Sequence, residues 1–344
     1  VDRRQRQMCI RDRIATGLKR MLGGMKNIAF LLPGGANIAS LETARHGFLV
    51  ANEYLAAQGR EPRFQVRTLA ATRQVSLDDG RITVQADLVL DQAQGIDICI
   101  VPPLLGAVSD AVLSNRELIE WLAGHYRQGG EVASLCMGAA LLAAGGLLDG
   151  QQAVVHWVAR DLYASLFPSV QWSSDRVVMA ENGIYTSGGA FSAAHLVLHL
   201  IEKYTDRDTA IWCAKYFQLD WSRQSQLPFS VFMGHKSHAD QVVRAVQDEI
   251  ETRYTEKITV EDLADRHAMG RRTLERRFRQ ATGNSIVEYV QRVRVEAAKK
   301  RLESSRKSVA EVMYEVGYND TKAFRDIFNK YCGMSPVGYR ERYQ

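Results

Sequence analysis

Six charged residues crowd one stretch of nine, among them Arg271, Arg272, Glu275, Arg276 and Arg279. A guanidinium is a planar fork that grips a base edge or a phosphate through two parallel hydrogen bonds. Leu274 and Phe278 lie four apart among them, so a helix buries these two and turns Arg272, Glu275, Arg276 and Arg279 outward. Fifty residues later Phe324 and Phe328 take the same two places, with Ile327 beside them and Thr321, Lys322, Arg325 and Asp326 left outside. Arginine can bond O6 and N7 of guanine together, while lysine and threonine reach bases or phosphates. A different chemistry belongs to Cys136, where an apolar run passes directly into a small-residue helix, ASLCMGAALLAAGG. A thiol at such an elbow meets a helix N-terminus, whose dipole lowers its pKa. Met137 follows it directly and His156 twenty residues on; with Gly35 these are the candidate residues of a ligand pocket.

The elements that must hold these side chains follow from period and caps. From Asp240 the apolar positions Val242, Val243, Val246, Ile250 and Tyr254 form one helical stripe. Thr259 caps a short helix carrying Leu263 and Ala264, HAMG (267–270) makes a turn, and Gly270 starts the arginine-rich helix. Ser308 and Glu311 form a second capping box, Val312 and Met313 replace Leu263 and Ala264, and GYND (317–320) makes a second turn. Between the two, Ser285 and Glu288 cap a long helix whose Ile286, Val290, Val293 and Ala297 run along one side and brace both units. One such unit is as well explained by a helical hairpin with a solvated charged face. Its repetition is what points to two tethered DNA-reading helices.

Residues 25–217 alternate strand-like and helix-like stretches: KNIAFLLP, a helix over 41–58, FQVRTLAA, GIDICIVPP, a helix over 116–128, then EVASLC. This alternation predicts an α/β domain with a mostly parallel sheet and helices on both faces. The stretch 218–239, with Pro228 and Gly234, is expected to be an interdomain linker, and 240–344 an all-α domain with two helix-turn-helix units. Residues 1–24 have no apolar period and contain MCIRDR, which resembles translated sequencing-adapter sequence; they are expected to be extraneous or disordered, a basic arm for DNA or membrane being the alternative.

Charge is divided unevenly. Lys and Arg against Asp and Glu number 7 to 2 in 1–24, 16 to 20 in 25–239 and 21 to 17 in 240–344, so a basic head follows an acidic body. The five cysteines are scattered and never form a C-x-x-C pair, which argues against a disulfide framework and a zinc site and fits a reducing cytoplasm. Apolar runs such as IAFLL and IDICIV are too short for a membrane span. Neither metal nor cofactor is expected.

Residues 240–344 resemble the AraC/XylS family, the second unit's signature being carried by VGYND, AFRDIFNKYCGMSP and the closing YR. The resemblance implies that Arg272, Glu275 and Arg276, and Thr321, Lys322, Arg325 and Asp326, face bases, and that Gly270 departs from the usual serine cap. Residues 26–204 resemble the PfpI-like, class I glutamine amidotransferase-like fold, flavodoxin-like in its sheet, with Cys136 at the nucleophile position and His156 near it. Met137 stands where PfpI-type hydrolases carry histidine and cannot accept a proton. The family's carboxylate position falls near Ala39 or Ser40, with Glu42 one helical step away.

In that order the two domains are similar to the GlxA-type branch of AraC regulators, which implies a non-catalytic sensor ahead of the DNA-binding domain. The expected function is a sequence-specific transcriptional regulator of double-stranded DNA, not an enzyme, controlled by a small-molecule effector and acting as a homodimer, with RNA polymerase as a further partner. Two alternatives stand beside it. One is a cysteine-dependent amidase or glyoxalase-like enzyme with a DNA-binding tail, and the other gives the first domain dimerisation alone.

Overall fold

The computed structural model describes residues 24–189 and 193–344, so the segment 1–24 lies, but for Gly24, outside the described residues. The chain divides into two compact units, Val1–Gln224 and Ser225–Gln344.

In the first unit the strands are β1 (Lys26–Leu31), β2 (Phe64–Ala70), β3 (Gln74–Leu77), β4 (Ile82–Gln85), β5 (Leu88–Val89), β6 (Ile98–Val101), β7 (Glu131–Leu135), β8 (Gln152–Val154), β9 (Gln171–Ser173), β10 (Val178–Glu181) and β11 (Ile184–Ser187). Its helices are α1 (Ile38–Ala57), α2 (Val108–Ser114), α3 (Arg116–Arg127), α4 (Ala139–Ala144), α5 (Arg160–Leu166), α6 (Ala193–Tyr204) and α7 (Arg207–Tyr216). Seven strands form one sheet in the order β10-β11-β7-β6-β1-β2-β5, parallel throughout except for the β10–β11 pair. Alternate residues feed alternate faces: Ala29, Leu31, Cys99, Val101 and Val132 join the core under α2, α3, α4 and α5, while Ile28, Phe30, Ile98, Ile100 and Ala133 join the core under α1 and α6. A sheet covered on both faces explains why its central strands read as unbroken apolar runs. Helix α1 begins at Ile38, ahead of the expected 41, because the Asn37 side chain accepts a hydrogen bond from Ser40 N at 3.1 Å.

The second unit contains α8 (Gln241–Arg253), α9 (Val260–Arg266), α10 (Arg271–Thr282), α11 (Ile286–Ser304), α12 (Val309–Glu315), α13 (Thr321–Cys332) and α14 (Pro336–Tyr343). It has two cores. Val243, Val246, Ile250, Leu263, Leu274, Phe278, Ile286 and Tyr289 make the first; Val295, Ala298, Leu302, Val312, Met313, Phe324, Phe328 and Tyr339 make the second. Helix α11 joins them, but not through the single stripe expected. Its fully packed residues are Ile286 and Tyr289, then Val295, Ala298 and Leu302, whereas Val290, Val293 and Ala297 are only partly buried. One helix docking into two cores cannot keep one apolar face.

The expected linker is likewise corrected. In 218–224 the backbone is tied to the first unit, with Val177 N donating to Gln224 O at 3.1 Å and the His195 ring on Asp220 O at 3.0 Å. Residues 227–238 are strapped along the second unit instead: Tyr343 Oη donates to Pro228 O at 3.0 Å, Lys299 to Ser230 O, and Gln247 to Gly234 O at 2.5 Å. The Phe232 ring meets Tyr289 edge-on at 5.1 Å. Apolar Leu227, Phe229 and Phe232 in this stretch are better buried than left in an open joint.

Candidate nucleic-acid interface and the cysteine elbow

Helices α10 and α13 are built alike. In each, two large apolar side chains four apart are fully buried, Leu274 and Phe278 in one and Phe324 and Phe328 in the other. Each ends on a left-handed glycine, Gly283 at φ 69° and Gly333 at φ 72°. A serine-capped helix follows each time, from Ser285 and from Ser335, and four residues on a buried tyrosine returns to the core, Tyr289 and Tyr339. Each tyrosine hydroxyl is held by a carboxylate, Glu251 at 2.6 Å and Glu303 respectively, and burial with that hydrogen bond pushes both phenols well above their ordinary range. The repeat thus runs past the helix-turn-helix into the helix behind it, a feature the apolar periods alone did not single out.

The turns before the two helices differ by one residue. Ala268 takes a left-handed conformation at φ 48° in the first, and Gly317 at φ 85° in the second. At Gly317 the choice is forced, since a Cβ there would lie 2.6 Å from the carbonyl oxygen of Thr255.

The charged residues sort into groups. Arg272, Arg276 and Arg279 are exposed and make no salt bridge among the described residues; the same holds for Lys322, Arg325 and Asp326, and Thr321 is exposed beside them. Arg271 is held by Glu261 and by Glu275 at 3.5 Å, so these two candidates brace the turn at the head of α10. Arg277 forms a bidentate pair with Asp240 at 2.8 and 2.6 Å, which locks α10 to the start of α8. The exposed face of α10 is therefore wholly cationic at its centre, whereas α13 sets an acid, Asp326, among Lys322, Arg325 and Lys330.

At the other site, Cys136 follows β7 with φ 52°, a left-handed conformation uncommon outside glycine, and leads through a short 3-10 turn into α4. Gly138 makes the elbow possible, because a Cβ there would stand 2.4 Å from Pro102 O. The loops after β1 and β6 close on each other nearby: Leu105 N donates to Gly35 O and Asn37 N to Pro103 O, each at 2.8 Å. This is the carboxyl end of the parallel strands, where open α/β sheets take ligands.

The thiol itself is not activated. Cys136 is only 5% exposed, and burial pushes its pKa up against the backbone N–H groups of Met137 and Gly189, which favour the thiolate. The expected lowering by the helix end is overruled, because desolvation of a charge outweighs a short turn's dipole. Met137 acts nearby through its backbone, its N–H toward the Cys136 sulfur and its carbonyl accepting from the buried Tyr163 Oη at 2.6 Å. His156 Nδ1 accepts from Val158 N at 3.2 Å, and burial lowers the ring's pKa; no hydrogen bond joins it to Cys136 among the described residues. Glu42 pairs with Arg45 at 2.8 Å on the exposed side of α1, and no described ion pair or hydrogen bond takes it to the elbow. Among the described residues no group of three His, Cys, Asp or Glu could hold a metal, and no helix is long and apolar enough to cross a membrane.

Residues 47–203 match the DJ-1/PfpI family, and residues 263–342 match a helix-turn-helix domain family. The chain is 28% identical over 321 residues to the HTH-type transcriptional regulator GbdR of Pseudomonas aeruginosa, covering 92% of this chain and 84% of the relative. It is 25% identical to the HTH-type transcriptional regulator CdhR of the same species over 89% of both, and 25% identical to the HTH-type transcriptional regulator GlxA of Rhizobium meliloti over 63% and 67%. The first unit's fold is shared with a transcriptional regulator protein from Vibrio parahaemolyticus, at TM-score 0.50 and 20% identity, over 56% of this chain and 99% of that one. The chain thus carries a DJ-1/PfpI domain ahead of an AraC-type helix-turn-helix domain, and over most of its length it is similar to HTH-type transcriptional regulators such as GbdR and CdhR.

Proposed function

We propose that this regulator reads a two-part, non-palindromic site through α10 and α13, and that a small molecule held beside Cys136 sets how well it does so. The observation that carries the first half is the repeated frame: two separate cores, each burying one face of a helix and leaving Arg272, Arg276 and Arg279, or Lys322 and Arg325, exposed. Helices braced by one common helix suit successive major-groove faces about 34 Å apart. Replacing Arg276 by Ala should weaken specific binding by about 1–3 kcal/mol and relax one or two base pairs of one half-site. Lys322→Ala and Arg325→Ala should act on the other half alone. Footprints of all three variants that change at the same base pairs sink the two-part reading.

The second half treats residues 25–217 as the sensor, with Gly35, Cys136, Met137 and His156 at the sheet's carboxyl edge. What favours binding over catalysis is the buried thiol, its pKa raised by burial, with no base in hydrogen-bonding reach among the described residues. Cys136→Ala should change the response to effector and leave the affinity for DNA without effector intact. Hydrolysis of amides or turnover of 2-oxoaldehydes that disappears in this variant would restore the enzyme alternative. A cleft of about 430 Å³ in the same unit, lined by Arg176, His195, Trp221 and Arg223, offers a different seat; ligand density there in a complex would move the sensor site. A homodimer and RNA polymerase complete the partners, and sedimentation at micromolar concentration tests the first.

A further inference from the structure

We infer that Asp326 is a base-reading residue, and that it selects a base whose major-groove edge offers an amino hydrogen, cytosine above all. The inference rests on α13 entering the major groove, as proposed above. Its starting point is the register of the repeat. Leu274 and Phe324, Phe278 and Phe328, Gly283 and Gly333, Ser285 and Ser335, and Tyr289 and Tyr339 are all 50 apart, so Asp326 occupies in α13 the place of Arg276 in α10.

That place is the centre of the exposed face. Residue 326 lies two positions from both Phe324 and Phe328, which at 100° per residue puts it about 160° from each buried side chain. A helix seated in a groove on the face opposite its core turns this position toward the base edges. Asp326 is exposed and takes part in no ion pair or hydrogen bond among the described residues. Lys322 and Lys330 stand four residues to either side, one helical turn each way; neither is paired with it among the described residues, and both are exposed to reach phosphates.

A carboxylate facing a polyanion with one charge per about 1.7 Å of axis is repelled unless something donates to it. Arginine at this place donates to guanine O6 and N7; a carboxylate accepts from the N4 amino group of cytosine. The two helices thus place opposite hydrogen-bonding requirements at one structural position, and the two half-sites differ there by a donor for an acceptor.

The test is selection from a random duplex library by the full chain, wild type beside Asp326→Ala, Asp326→Asn and Arg276→Ala. The wild type should require cytosine, or adenine more weakly, at one position of the α13 half-site. Asp326→Ala should lose that preference by about tenfold or more at that position only. Asp326→Asn should shift it toward adenine, since an amide pairs with N6 and N7 together. An Asp326→Ala protein that binds every duplex more tightly with an unchanged preference pattern shows plain phosphate repulsion and overturns the inference, as does no change at all. Wild type that selects no sequence defeats the DNA-reading proposal itself, and so does Arg276→Ala that leaves the selected pattern intact.

Discussion

Between the two halves of the second unit, the residues that repeat are those that fix the backbone: the buried pair, the left-handed glycine, the serine cap and the tyrosine. Those that differ either face outward, as Arg276 and Asp326 do, or fasten the half to its surroundings. Arg277, locked to Asp240 in the first half, has Ile327 as its counterpart in the second, packed against the core. One frame has been secured once by an ion pair and once by apolar contact, while its outer face was left free to carry a different code. The lesson is that frame and code are separable, and substitutions can probe each alone.

The largest effect should come from the turns. Gly317→Ala places a Cβ 2.6 Å from a backbone oxygen at φ 85°, and should cost about 2–4 kcal/mol from clash and strain together. Its counterpart, Ala268→Gly, relieves a milder left-handed alanine at φ 48° but adds freedom to the unfolded chain, so the terms offset to within about 0.5 kcal/mol. Urea unfolding of both variants checks this. Equal costs at the two turns would show that they are not counterparts.

A smaller effect separates the fastenings. The Arg277 guanidinium beside Asp240 holds its carboxyl below the usual carboxylate range, helped by the hydrogen bond from Val243 N. A depressed folded value gives stability that is present above the unfolded value near 3.9 and is lost as pH falls through the folded one. Asp240→Asn keeps a cap for α8 but drops the charge, and should cost about 0.5–1 kcal/mol at pH 7. The gap from wild type should close toward pH 3. A gap that stays constant over that range would mean packing, not charge, holds Arg277.

How far the sequence alone reached follows the same division. The caps Thr259, Ser285 and Ser308 and the paired apolar positions were legible because each is a local signal, complete within four residues. The sheet was legible in KNIAFLL and IDICIV because strands covered on both faces stay apolar throughout. What could not be read were matters of distance along the chain. The tie of Arg271 to Glu261 spans ten residues and the seating of Phe232 on Tyr289 spans 57. The split apolar face of α11 arises only when two cores exist. Cys136 shows the limit most plainly: its elbow was visible in ASLCMG, but its raised pKa comes from burial contributed by the whole sheet edge.

The smallest expected effect tests whether the frames differ for a reason at their first residue. Asp320 caps α13 by accepting from Ala323 N at 2.6 Å, whereas Gly270 caps α10 with no side-chain hydrogen bond. Gly270 has φ −67° and ψ 138°, ordinary for a cap, and a Cβ there would meet nothing within 4 Å. Serine therefore fits and can accept from the backbone N–H of Thr273. Because glycine is itself a fair cap, Gly270→Ser should add only a few tenths of a kcal/mol, a rise of about 1–3 °C in Tm. Aspartate would cap as well but would set a carboxylate at the head of a face made of Arg272, Arg276 and Arg279, weakening its hold on phosphate. In α13, whose face already carries Asp326, that charge matters less. Gly270→Ser should thus raise Tm and keep DNA affinity, and Gly270→Asp should raise Tm but bind DNA several-fold more weakly, the deficit shrinking as salt is added. If both variants lose stability, the open space at Gly270 is not what limits the cap. If both keep full affinity at low salt, the head of α10 does not face the phosphates.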